Sequence, residues 1–452
     1  CNHHEQACAM AAVGYSKMKN SFAALVLTSG CGATNALTGL LDAWQDNNPV
    51  IFISGQVKRK ETTHNAKVPL RQFGVQEANI IEIVKSMTKY AVMVNKPEDI
   101  LLCLEKASFE AKNGRPGPVW IDIPLDVQSS LVNYTSLKQY KAPRKNLLTP
   151  TASQIHLLKK ALSRAERPII IAGNGIRLGN AIKEFNDFLL DTNIPFVTSY
   201  LAVDLLPNNH KQYIGRLGIK GDRPGNFSLQ NADLVISIGC HLSVALTGFE
   251  YNLFARDAKL FVVDIDRDEH KKNTVKINHF IHSDVKRFFA KFNGKFSFPE
   301  WLKTCRKWKN MWPVCLPEYK IEKKLINKYA FIDIMQKELK KDSVVVSDAG
   351  SSYYVTSQAF KPIKNQRYIT SGAQADMGFT LPAAIGVAFA QKGKMVVGIT
   401  GDGSFQMNIQ ELQTLVHYKL PVKLVVWNNN GYLSIRTTQK KFFSGREIGT
   451  DK

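Results

Sequence analysis

Short apolar runs, most of them closed by Gly, Asn or Asp, recur along this chain. They occupy residues 22–27, 50–54, 167–172, 233–238, 259–266, 343–347, 395–400 and 422–427. Runs of this length and character predict strands buried on both faces of parallel sheets. Elsewhere apolar residues return at helical spacing: Cys8, Met10, Ala11, Ala12 and Tyr15 near the start, and Leu412, Leu415 and Val416 within 410–418. A further helix is expected over 382–389. Strand and helix in alternation predict an α/β fold of doubly wound parallel-sheet domains. A length of 452 residues suits about three of them. They are expected over 1–130, 151–297 and 331–452, with the polar, Pro-punctuated stretch near 130–150 as a linker.

Residues 401–430 add chemistry to this pattern. Gly401-Asp402-Gly403-Ser404 closes one apolar run and Asn428-Asn429-Asn430 closes the next, with 24 residues (404–427) between Gly403 and Asn428. That interval fits one βαβ crossover, which is right-handed almost without exception. It places a carboxylate and an amide at the carboxyl ends of neighbouring strands, where open α/β sheets collect ligands. Asp402 and Asn429 are hard oxygen donors suited to Mg²⁺, which completes its shell with water and phosphate oxygens. Gly403 would let the backbone approach a phosphate, and Ser404 with the helix start would supply N–H and O–H donors. Taken singly, Asp-Gly and Asn-Gly are ordinary turn dipeptides. As a pair one crossover apart they point to a metal–diphosphate site.

The pair resembles the thiamine-diphosphate fingerprint GDG…NN. At the other end of the chain stand His4-Glu5-Gln6-Ala7, then Thr28-Ser29-Gly30-Cys31-Gly32-Ala33-Thr34-Asn35, then Gly55-Gln56. With Gly114-Arg115-Pro116-Gly117-Pro118 and Ile121-Asp122-Ile123-Pro124, these are similar to signatures of the acetolactate synthase family, and the likeness covers nearly the whole chain. The resemblance implies a pyrimidine-binding domain over 1–130, a central Rossmann-like domain over 151–297 and a diphosphate- and Mg²⁺-binding domain over 331–452. It implies that Glu5 activates the cofactor through ring N1′; a first-turn helix acid complementing the macrodipole is the other reading. It implies Asp402, Asn429 and Gly431 as the metal-holding set. Gly350, Ser351, Ser352, Gly401, Gly403 and Ser404 would meet the cofactor, and Met377 would be the apolar wedge that bends it. An ordinary core methionine stays open for Met377.

Two positions depart from the family pattern or depend on alignment. Ala375 stands where the family has a glycine whose carbonyl meets the cofactor's 4′-amino group, which alanine permits if its φ is negative. Gln76 would approach the cofactor if Val75-Gln76-Glu77 aligns with the family's Phe-Gln-Glu; a capping or surface amide stays open. Family sites combine two subunits, so a homodimer or homotetramer with active sites at the subunit interface is implied. The chain starts inside what would be the first α/β unit and stops soon after the Asn motif, so both ends are expected to be truncated.

Composition narrows the classes further. The 44% hydrophobic content is that of a globular protein, and no run of eighteen apolar residues suggests a membrane span. No signal-like segment opens the chain, and seven cysteines without CxxC spacing suit reduced thiols, so a cytoplasmic location is expected. The net charge of +22 could suggest nucleic acid, but the lysines are dispersed without interleaved aromatics, and no nucleic-acid partner is expected.

The middle of the chain carries weaker signals. Gly173-Asn174-Gly175 lacks the full dinucleotide-loop pattern. Family members carry flavin in the central domain, but Cys240-His241-Leu242-Ser243-Val244 replaces the family's Arg-Phe-Asp-Asp-Arg, so FAD is doubtful and a structural role is expected. Segments 71–77, 216–227 and 434–439 differ from biosynthetic members and look like a subgroup associated with surface-sugar pathways. Arg436 is either a substrate-anion contact or a surface arginine. The resulting reading is thiamine-diphosphate-dependent decarboxylation of a 2-keto acid, pyruvate foremost, with carboligation. An aldehyde or keto-sugar acceptor, simple decarboxylation and a non-catalytic cofactor-binding partner are the rivals.

Overall fold

In the computed structural model, which describes residues 1–144, 148–321 and 324–450, the apolar runs form three sheets. The first contains β1 (Ala23–Leu27), β2 (Val50–Gln56), β3 (Tyr90–Met93) and β4 (Val119–Pro124) in the order β1-β2-β4-β3, all parallel. The second contains β5 (Pro168–Ala172), β6 (Phe196–Thr198), β7 (Tyr213–Arg216), β8 (Leu234–Ile238), β9 (Lys259–Asp264) and β10 (His279–His282). Its order is β10-β9-β8-β5-β6-β7, again all parallel. The third contains β11 (Val344–Ser347), β12 (Arg367–Thr370), β13 (Val396–Gly401) and β14 (Val422–Trp427) in the order β12-β11-β13-β14. β13 runs parallel to both β11 and β14.

Compactness divides the chain into two units rather than by sheet. One comprises residues 1–145, 344–353 and 369–452; the other comprises 146–343 and 354–368. The first unit is built around α1 (Glu5–Lys19), which the helical spacing at Cys8–Tyr15 predicts. α1 packs against α2 (Leu37–Gln45) and, from the C-terminal part of the chain, α4 (Thr380–Gln391), whereas α3 (Gly350–Ala359) follows β11. Small residues permit the α1–α4 approach: a Cβ on Gly386 would lie 1.9 Å from the Ala11 carbonyl oxygen. Met10 and Val13 of α1 share one buried cluster with Ala383 and Val387 of α4 and with Val344 and Val396 of the third sheet. The two ends of the sequence are thus parts of one core.

The second unit has its own core around Phe185, Phe196, Phe261 and Phe288. Arg216, at the end of β7, is 1% exposed and pairs with Asp222 at 2.6 Å. The sequence-distinctive segment at 216–227 therefore closes a buried ion pair. No described helix is long and apolar enough to cross a membrane.

Two expectations need correction. β1 and β14 are not buried on both faces: Ala24 and Val26 in β1, and Lys423 and Val426 in β14, are exposed, because both are edge strands in their sheets. The crossover before it is not one helix. It runs as Asp402–Phe405, a 3₁₀ segment Gln406–Glu411 with a kink at Asn408, and Leu412–His417. There Leu412 and Val416 are exposed, while Glu411 and Thr414 are buried.

Candidate active site

β13 and β14 pair in register up to Gly401 and Trp427, so Asp402 and Asn428 leave the sheet side by side. The Asp402 carboxylate then organises the second loop. Its Oδ2 accepts the N–H of Asn429 at 3.2 Å and of Gly431 at 2.9 Å, and its Oδ1 accepts the N–H of Gly403 at 3.0 Å. Arg436 braces the same loop from outside, donating to the carbonyls of Asn430 at 2.6 Å and Asn429 at 2.7 Å. Its guanidinium is thus committed to the protein's own main chain. Asn429 Oδ1 is buried with no hydrogen-bond partner. A buried amide oxygen without a donor is costly unless something else satisfies it. An oxygen of that kind, on a residue tied through its main chain to the Asp402 carboxylate, suits a hard cation.

A cavity of about 510 Å³ opens here, lined by Asp402, Gly403, Gln406, Asn428, Asn430 and Tyr432 among others. Gly403 is needed for a reason the sequence does not show. A Cβ there would meet the Tyr432 ring at 2.7 Å.

Asp348, unnoticed in the sequence, ties three loops of this region together. It follows β11, is fully buried, and accepts hydrogen bonds from Ser352 Oγ (2.8 Å), Thr400 Oγ1 (2.8 Å) and Ser404 Oγ (2.6 Å). Burial raises its pKa although those hydroxyls pull the other way. Ser404 Oγ in turn accepts the N–H of Gly378 at 2.7 Å. The Ser352 and Ser404 hydroxyls therefore point inward onto Asp348, with Ser352 in the first turn of α3, just after Gly350 (φ 59°).

Ala375 and Met377 lie on the loop between β12 and α4, both half-buried. Ala375 has φ 53°, not the negative value that would make alanine comfortable. Its neighbour Asp376 bonds Ser371 Oγ at 3.1 Å, and burial lifts its pKa to about 6.

Glu5 opens α1 one residue after the N-cap, His4, whose ring accepts the N–H of Gln6. Its carboxylate takes a hydrogen bond from Asn35 Nδ2 at 3.1 Å and faces the loop 28–35 rather than the Asp402 loop. Gly32 leaves the room for it: a Cβ there would lie 3.1 Å from Glu5 Oε1 and 2.4 Å from Thr28 Cγ2. Gln76 has φ 58° and an exposed side chain. Its carbonyl oxygen would be 1.9 Å from a Cβ on Gly30, so its main chain seals the glycine loop. The adjacent Glu77 is buried and accepts from Thr63 and the Phe73 N–H.

Glu411 was also missed. Fully buried in the crossover, its carboxylate accepts the N–H of His3 (2.8 Å) and His4 (3.1 Å), Asn2 Nδ2 (2.8 Å) and Thr414 Oγ1 (2.7 Å). A buried acid inside a helical stretch carries no sequence signal beyond its own identity.

Two glycine-rich half-sites on parallel sheets, one carrying a carboxyl and the other a carboxylate–amide oxygen cluster, define a two-part diphosphate-cofactor α/β protein. Comparison with known proteins agrees at each part. Residues 1–88, 155–292 and 348–452 match the N-terminal TPP binding, central and C-terminal TPP binding domains of thiamine pyrophosphate enzymes. The chain is 35% identical to the acetolactate synthase large subunit of Buchnera aphidicola subsp. Acyrthosiphon pisum, over 98% of this chain and 77% of the relative. It is 32% identical to the Lactococcus lactis large subunit (98% and 76%) and 31% identical to the Escherichia coli isozyme 2 large subunit (98% and 78%). The chain belongs to the acetolactate synthase large-subunit family of thiamine pyrophosphate enzymes.

Proposed function

We propose that this protein decarboxylates a 2-keto acid, pyruvate foremost, and joins the retained acyl carbons to a second 2-keto acid, as an acetolactate synthase. With two pyruvates the products are acetolactate and CO₂. The observation that carries the reading is the buried, unpartnered Asn429 Oδ1, on a residue whose main-chain N–H is bonded to the Asp402 carboxylate. Thiamine diphosphate, when bound, supplies the carbon nucleophile and the electron sink for loss of CO₂.

The residues of this chain have distinct tasks in that reading. Asp402, Asn429 and the Gly431 main chain would hold Mg²⁺, and the main-chain N–H groups after Gly350 would receive the diphosphate. Ser404 would act through the Asp348 anchor, keeping the 401–404 and 377–378 turns in place. The Ala375 carbonyl and the Met377 side chain would shape the pyrimidine end, with Gln76 approaching from the glycine loop. Glu5, steadied by Asn35, would hold a proton at the pyrimidine N1′. Because the Glu5 carboxylate faces its own glycine loop, the complete site is assigned to the subunit interface of a homodimer or homotetramer. A fully active monomer by light scattering would sink that assignment. Flavin is left out of the reading, since Cys240-His241-Leu242-Ser243-Val244 stands where the family carries Arg-Phe-Asp-Asp-Arg. A flavin spectrum in the purified protein would overturn this. The product test is acetolactate formation from pyruvate, with 2-ketobutyrate and glyceraldehyde as competing acceptors. Preference for the keto acid is expected, and preference for the aldehyde would refute the assignment.

A further inference from the structure

The end of α1 holds a group of charges that the proposed chemistry does not use. Lys17 Nζ donates to Asp46 Oδ2 at 2.6 Å and to the Thr370 carbonyl at 2.6 Å, and lies 3.7 Å from Asp42 Oδ1. The side chains are 9% exposed for Lys17, 1% for Asp46 and 0% for Asp42. Burial works against the Lys17 charge, but the Asp42 and Asp46 carboxylates outweigh it and hold its pKa above the ordinary lysine value. Burial pushes the Asp42 carboxyl well above the ordinary carboxylate range, although the Lys17 charge pulls it down.

Asp46 uses both oxygens on another part of the chain. Oδ2 accepts the N–H of Gly372 at 2.7 Å and Oδ1 the N–H of Ala373 at 3.0 Å. These two residues begin the loop that carries Ala375, Asp376 and Met377. Its start is therefore fixed by three bonds, from Thr370 to Lys17 and from Gly372 and Ala373 to Asp46, all to residues more than 300 positions earlier. Inside the loop, Ala375 occupies the left-handed region, a conformation that persists only where the surroundings impose it. A buried ion pair is weak evidence for net stability, since an apolar pair of similar volume often does as well. Its better-attested use is to enforce one arrangement, and here the arrangement enforced is that of the loop.

We infer that Lys17 and Asp46 are positioning residues for the cofactor, setting the Ala375–Met377 turn from the N-terminal part of the same chain. The inference rests on the reading that this turn meets the pyrimidine end of thiamine diphosphate. It predicts a split between the two ends of the cofactor. Asp46→Asn should weaken thiamine diphosphate binding by about 10- to 100-fold, the usual scale for a small misplacement of a positioned group. Binding of Mg²⁺ with inorganic pyrophosphate, which uses the Asp402 end alone, should stay within about twofold of wild type.

The test is calorimetric titration of the full chain with each ligand, together with amide hydrogen exchange across 370–378. Lys17→Arg should keep wild-type affinity for both ligands, and Lys17→Met should behave as Asp46→Asn. Should a lone buried charge prevent folding, the triple variant Lys17→Met/Asp42→Asn/Asp46→Leu removes all three ionisable groups and leaves the loop untied. Faster exchange at Gly372 and Ala373 with selective loss of thiamine diphosphate affinity supports the inference. Equal loss for both ligands, or loosened amides with unchanged thiamine diphosphate affinity, overturns it. Met377→Ala separates the underlying reading: if that variant binds thiamine diphosphate as wild type does, the turn is not at the cofactor and the inference falls with it.

Discussion

Glu411 Oε1 accepts the main-chain N–H of His3 at 2.8 Å, joining the crossover that follows Asp402 to the residues that start the Glu5 helix. The half to which the metal site is assigned therefore braces, within one chain, the start of the helix that carries the carboxyl assigned to proton transfer. Removing the acceptor leaves the part-buried N–H groups of His3 and His4 and the buried Thr414 hydroxyl without their partner, which costs more than the bonds contribute. Glu411→Ala should lower unfolding stability by about 2–4 kcal/mol, and Glu411→Gln, which keeps one acceptor oxygen, by roughly half of that. Chemical denaturation of the three proteins measures both differences, and equal stability of all three would refute the role.

Ala375 at φ 53° holds an L-residue in a region that costs about 1 kcal/mol relative to glycine. Ala375→Gly should raise stability by a few tenths to about 1 kcal/mol, the larger unfolded-state entropy of glycine offsetting part of the gain. A lower denaturation midpoint would show that alanine sits there without strain.

Asp122 is 1% exposed, bonded to Ser54 Oγ at 2.5 Å and Gln56 Nε2 at 3.0 Å, and burial raises its pKa from 3.8 to about 6. The folded state therefore binds its proton more tightly than the unfolded chain does. Its contribution is fully present below pH 3.8 and is lost as pH rises through about 6. In Asp122→Asn that fall should disappear, so stability relative to wild type should improve between pH 4 and 7 by up to about 3 kcal/mol. Urea titrations at several pH values measure it, and parallel profiles for the two proteins would contradict the assignment.

Arg436 holds the carbonyls of Asn429 and Asn430, and Asp402 holds the N–H groups of Asn429 and Gly431. Loss of an outer partner of a metal site typically costs about 10- to 100-fold in affinity. Arg436→Ala should weaken Mg²⁺-dependent cofactor binding by about that factor, and Asp402→Ala by more. Chelation of Mg²⁺ should release the cofactor from wild type. Unchanged Mg²⁺ titrations for Asp402→Ala would remove the metal assignment.

The Asp402–Asn429 neighbourhood was legible because one crossover of known hand leaves few places for its two ends. β13 was legible because buried parallel strands read as apolar runs, and β14 because it keeps the same apolar run at the sheet edge. What stayed hidden depends on the third dimension. The exposure of Val426 follows from β14 being at a sheet edge, which no local pattern records. Asp348 and Glu411 are single acids in unremarkable surroundings, and their roles exist only once distant N–H and O–H groups converge on them. The left-handed φ of Ala375 contradicts the residue's own preference, and only the surrounding contacts make it possible.

The most direct test of the account is CO₂ release from pyruvate by wild type and by Glu5→Gln, each with and without thiamine diphosphate and Mg²⁺. The account predicts release by wild type that requires both, and its loss in Glu5→Gln with cofactor binding kept. Release that survives without the cofactors or without the Glu5 carboxyl, or its absence from a wild type saturated with both, would contradict it.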